Sequence, residues 1–182
     1  MRRINKHVSA LMLIAFLLHA VFGSLEFVGA WSKTIQTLTM VFAFVFLGLF
    51  LAHTFIGVAL ASKSAGNMRQ SKTIYFRENA AFWVRFISGL ALTAFALAHA
   101  IIFLGIMWQW FPMGSVMTPM LVIDIFLGIS LLAHLLFSMR ALLIDWGIKT
   151  NKIAVVAIAI LIVALCAYLI ASFVVFYVGA LG

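Results

Sequence analysis

Four histidines, His19, His53, His99 and His134, each stand deep inside a separate long apolar run of the sequence. An imidazole in hydrocarbon is costly, and it marks a site that ligates, relays protons or ties one helix to another. Depth sorts the four into two sets. At 1.5 Å per residue, His19 and His99 lie ~15 Å from one face of the membrane, and His53 and His134 ~12 Å from the other. The set resolves into an outer pair, His19 with His99, and an inner pair, His53 with His134. Two imidazoles facing each other across a helical bundle meet the need of a bis-histidine b-type haem, whose iron takes an axial ligand on each face of the disc.

Such a disc needs room beside its ligands. Gly23 follows His19 by one helical turn, Gly57 follows His53, and Ser130 and Ser138 flank His134. The run around His99 fits less well: Ala96 is small, but Phe95 and Phe103 are bulky and would pack against a macrocycle's edge. Small residues also let membrane helices pack closely, so this pattern supports haem only together with the histidines. Zinc is disfavoured, because the pairs lie at different depths and no carboxylate or thiol completes a tetrahedral set. Cys166 is the only cysteine, which leaves no disulfide framework. With no C-x-x-C-H motif either, any haem would be held non-covalently. His7 precedes the first run and is assigned no role.

The elements that carry these residues are plain from composition. Of 182 residues, 66% are hydrophobic and 9% charged, with mean hydropathy +1.25, too apolar for a soluble domain of this size. Five apolar runs, at about residues 8–29, 38–61, 82–110, 120–141 and 153–178, each suit a spanning helix. The expected fold is all-α, a five-transmembrane-helix bundle forming one domain over residues 1–182. The first run has a basic start like a signal peptide, but His19 interrupts it and it is long enough to span, so it is expected to be retained.

The net charge of +8 invites a nucleic-acid partner, but the distribution of basic residues favours membrane topology instead. Arg2, Arg3 and Lys6 precede the first run. Lys63, Arg69, Lys72 and Arg77 lie between the second and third, and Arg140, Lys149 and Lys152 between the fourth and fifth. The opposite side has Lys33 alone. The N-terminus is expected in the cytoplasm and the C-terminus outside, in a cytoplasmic (inner) membrane. Trp31, Trp108 and Trp110 fit an outer interfacial belt. The basic loop after residue 61 is a topology signal first and a docking surface for a cytoplasmic partner second.

One histidine on each of four helices and a bare fifth resembles the di-haem cytochrome b membrane anchor of succinate dehydrogenases and quinol:fumarate reductases. The segments FWVRFISGLALTAFALAHAIIF and LLAHLLFSMRALLIDWGIKTNK look like that family's third and fourth helices. The resemblance spans most of the chain. It implies that His19 and His99 share a distal haem and His53 and His134 a proximal one, matching the pairing by depth. It also implies two haem b groups, a quinone (menaquinone by family habit) as substrate, and an iron–sulfur subunit and an FAD-containing flavoprotein on the cytoplasmic side. Dicarboxylate chemistry would belong to those partners, and a dimer of the complex is compatible with it. Cytochrome b of the respiratory bc complex, with two histidines on each of two helices, is a different pattern.

Within that resemblance, Glu26 and Asp124 are candidate proton acceptors at a quinone site near the outer face, each alternatively an interfacial carboxylate touching water. Trp31 and Trp108 are weaker candidates to line it. Arg85 and then Arg140 are candidate partners for haem propionates, with snorkelling to the interface as the ordinary alternative. Glu78 and Asp145 read as solvated loop acids. Leu132 stands where some di-haem fumarate reductases carry a glutamate of a transmembrane proton path, so that path is not carried over. Two other functions compete: an anchor for another flavoprotein reductase, and a histidine-relay transporter or proton channel. A transporter more often has broken helices, and proline is expected to be absent from the helix interiors here.

Overall fold

A computed structural model describes residues 1–27, 32–72, 79–148 and 151–181. The fold is all-α, with α1 (Arg2–Phe27), α2 (Lys33–Gln70), α3 (Ala80–Met107), α4 (Met113–Asp145) and α5 (Lys152–Leu181). Each is long and apolar enough to cross a membrane, and the chain is a multi-pass membrane protein. Backbone that meets lipid must satisfy its own hydrogen bonds, and a continuous helix does so.

The helices outrun the apolar stretches. α2 has 38 residues, a length of ~57 Å against a hydrocarbon core of ~30 Å. It continues past residue 61 through residues 62–70, which hold no proline and only one glycine, Gly66. Lys63 and Arg69 are therefore helical rather than in a loop. Ser32 caps the start by accepting from the Ile35 amide at 3.1 Å. At the far end the Ser71 amide bonds the Asn67 carbonyl at 3.0 Å, and Lys72 turns the chain at φ 55°.

α4 begins at Met113, not at residue 120, and so contains Pro119. The expectation of proline-free helix interiors is corrected. Pro119 is the seventh residue of α4, beyond the first turn, so it leaves the Ser115 carbonyl without its amide partner and crowds that carbonyl with its ring. α3 stops at Met107, and the Trp110 and Phe111 amides fold back onto the Gly105 carbonyl at 2.8 and 3.2 Å. Trp108 and Trp110 belong to this turn, both exposed, with ring centroids 4.8 Å apart. Arg77, Glu78, Trp31 and Lys149 lie outside the described residues.

The chain divides into two compact units, Met1–Phe86 and Ile87–Gly182. In the first, α1 packs on α2 through aromatic contacts: Phe16 with Phe46 at 5.6 Å and Phe22 stacked on Phe42 at 5.7 Å between centroids, with Phe50 packed on Phe46 along α2 at 5.5 Å. In the second, α4 packs on α5. Met117, Met120 and Tyr177 form its buried centre, with Ile102, Leu121, Phe173 and Phe176 around it. Gly128 makes the α4–α5 approach possible, since a Cβ there would sit 2.6 Å from Ile170 Cγ1.

Candidate functional site

Each of the four histidines is half-buried, and each is held at Nδ1. His19 reaches the backbone carbonyl of Thr39 on α2 at 3.3 Å. His53 meets the Asn5 side-chain oxygen at 3.0 Å and the Ser9 hydroxyl at 3.1 Å, both on α1. The Ser9 hydroxyl already donates to the Asn5 carbonyl at 2.7 Å, so its lone pair is left to accept from the imidazole. His99 bonds Asp124 Oδ1 at 2.7 Å, and His134 makes a longer 3.5 Å contact with the Ser88 hydroxyl.

An acceptor at Nδ1 puts the ring proton there and the lone pair on Nε2. That is the tautomer a metal-ligating imidazole needs, because the bond at the second nitrogen also fixes the ring's aim. A carbonyl and a carboxylate can only accept, so the tautomer assignment is firmest for His19 and His99. Nε2 of His19 and of His99 is thus the nitrogen that an axial haem ligand would use.

Local packing frames the rings. His19 lies parallel to Phe46 at 6.4 Å between centroids, and His99 to Phe103 at 6.3 Å. Gly89 on α3 sits against His134, where a Cβ would lie 3.1 Å from the imidazole Cε1. A larger residue would push the ring away. A Cβ at Gly57 would meet nothing within 4 Å, so the helix face one turn from His53 is open. Gly23 is one turn from His19, but a Cβ there would already touch the Thr39 methyl at 3.8 Å.

Asp124 is 0% exposed. Its Oδ1 accepts from His99 Nδ1, and its Oδ2 accepts from the Tyr177 hydroxyl at 3.0 Å. It is a buried acceptor joining α3, α4 and α5, not a carboxylate at a wet interface. Glu26 stands near the end of α1 with Oε1 buried and without a hydrogen-bond partner among the described residues. The Ser138 hydroxyl, one turn beyond His134, is in the same condition. Buried oxygens left so are expensive, and a bound polar group would relieve them.

Arg85 is half-buried near the start of α3, and Arg140 is exposed beside a cavity of about 40 Å³ between α4 and α5. His7 and Asp145 are exposed. Asn5, Ser9, Thr39, Ser88, Gly89 and Tyr177 did not stand out from the sequence as parts of the site. The available signals were the i, i+4 spacing of Asn5 and Ser9 and the isolated polar group of Tyr177 in an apolar run. No protein-family model, curated protein or solved structure matches the chain.

Proposed function

We propose that the chain is the di-haem cytochrome b membrane anchor of a succinate dehydrogenase or quinol:fumarate reductase complex. The observation that carries this is one histidine on each of α1 to α4, each held at Nδ1 by an oxygen. His19 with His99, and His53 with His134, are the ligand pairs expected from depth along the sequence and from the family resemblance. Two haem b groups would supply one-electron carriers between the two membrane faces.

The protein's own residues then have distinct tasks. Thr39, Asn5, Ser9, Asp124 and Ser88 aim the imidazoles. Glu26, with its unsatisfied oxygen, is the stronger candidate to exchange a proton with a quinol hydroxyl near the outer face. Asp124 has both oxygens engaged by protein donors and suits that task less. Arg85 and Arg140 remain proposed propionate partners. Lys63 and Arg69, on the polar end of α2, would face the iron–sulfur and flavoprotein subunits on the cytoplasmic side of an inner membrane. An anchor for a different flavoprotein reductase would use the same parts.

The hydrogen-bonded chain Tyr177–Asp124–His99, with Pro119 inside α4, favours a second reading as a proton-conducting transporter. A reduced-minus-oxidised spectrum with pyridine haemochrome quantitation of the purified protein separates the two. Two low-spin haems b per chain are expected. A stable, haem-free protein would end the cytochrome reading and favour the transporter.

A further inference from the structure

The four Nδ1 contacts are chemically unequal. Those at His19, His53 and His134 go to a carbonyl, an amide with a hydroxyl, and a hydroxyl, whereas the one at His99 goes to a carboxyl group. At 2.7 Å the His99–Asp124 bond has the length of a charge-assisted hydrogen bond. Asp124 receives a donor on each oxygen, the pattern of an ionised, acceptor-only carboxylate. Its second donor, Tyr177, comes from α5, which bears no histidine.

We infer that Asp124 and Tyr177 are positioning residues that set the donor strength of His99 toward haem iron, which makes α5 part of the electron-transfer site. This rests on the haem reading above. A carboxylate drawing on the Nδ1 proton pushes electron density into the ring and makes its Nε2 a stronger donor to a metal. A stronger donor stabilises ferric over ferrous iron and lowers the midpoint potential of the haem that His99 serves. Tyr177 tempers the effect, because a carboxylate sharing its charge with the phenol draws less on the imidazole. The two residues therefore act on the potential with opposite signs, which a purely structural tie between helices would not do.

The test is potentiometric titration of both haems in the purified complex, with haem content and low-spin ferric electron paramagnetic resonance recorded in parallel. His99→Ala identifies which haem depends on that histidine. Asp124→Asn should raise the midpoint of that haem, leave the other unmoved and retain two haems per chain. Tyr177→Phe, which removes only the hydroxyl, should lower the same midpoint and shift the same ferric signal. Unchanged potentials with haem intact, shifts of the same sign in both variants, or equal movement of both haems would each overturn the inference. Where Asp124→Asn does not assemble, Tyr177→Phe decides alone: a fall confined to one haem supports the inference, and no fall overturns it. A haem-free wild-type protein fails at the first spectrum, before any variant is compared, and removes the haem reading and this inference together.

Discussion

An imidazole ligates through one nitrogen and is aimed by the other. At the residue scale, this makes the neighbours of Nδ1 as informative as the histidines themselves. Asn5 and Ser9 share one face of α1 and converge on His53, 48 and 44 residues away in sequence. Replacing that histidine tests the pairing directly. On the proposed haem reading, His53→Ala should leave one haem per chain rather than two, and His134→Ala should leave the same one by midpoint potential and spectrum. Different surviving haems in the two variants would overturn the inner pair. The histidines were legible in the sequence because a polar ring in an apolar run needs no tertiary context to stand out. Asp124 was legible as a buried charge, but its role was not. Its distance from an expected helix end suggested a wet interface, whereas its bonds to His99 and Tyr177 show a buried acceptor with both oxygens used.

At the scale of elements, the fold depends on how closely pairs of helices approach. Gly128 is one turn from Asp124 on α4, and its missing side chain lets Ile170 of α5 come close, in the same seam where Tyr177 reaches Asp124. Gly128→Leu should lower stability by about 1–3 kcal/mol through overpacking, read as a lower midpoint in thermal or denaturant unfolding in detergent. The same variant should mimic Tyr177→Phe in any property that depends on the phenol. Wild-type stability in Gly128→Leu would show that α5 can shift without cost. Apolar run length located all five helices, because hydrocarbon thickness sets a minimum span. It could not set their ends. α2 runs on to Gln70 through a stretch without proline, and α4 starts at Met113 although Pro112 gives it no side-chain cap, so neither end follows from hydropathy.

For the whole molecule, the side to which the basic residues face decides where partners can dock. In the proposed orientation, with the N-terminus inside, Lys63 would face the cytoplasm and Lys33 the outside. Cys166 is fully buried, and a Cys166→Ala background leaves engineered cysteines to report alone. In intact cells, a membrane-impermeant maleimide should label Lys33→Cys and spare Lys63→Cys until the membrane is opened. The reverse pattern would invert the topology and place the proposed iron–sulfur partner on the wrong side.

Membrane residence, helix number and four intramembrane histidines were properties of the linear chain, since each follows from hydrophobic length and residue type alone. The partner of each imidazole was not. Thr39 is 20 residues from His19, Asp124 is 25 from His99, and Tyr177 is 53 from Asp124. No helical or strand periodicity links residues so far apart; only helix packing brings them within hydrogen-bond distance. The tertiary structure alone therefore decided that His99 leans on a carboxyl group while the contacts found at the other three Nδ1 atoms are to uncharged oxygens. A ligand's donor strength depends on that difference.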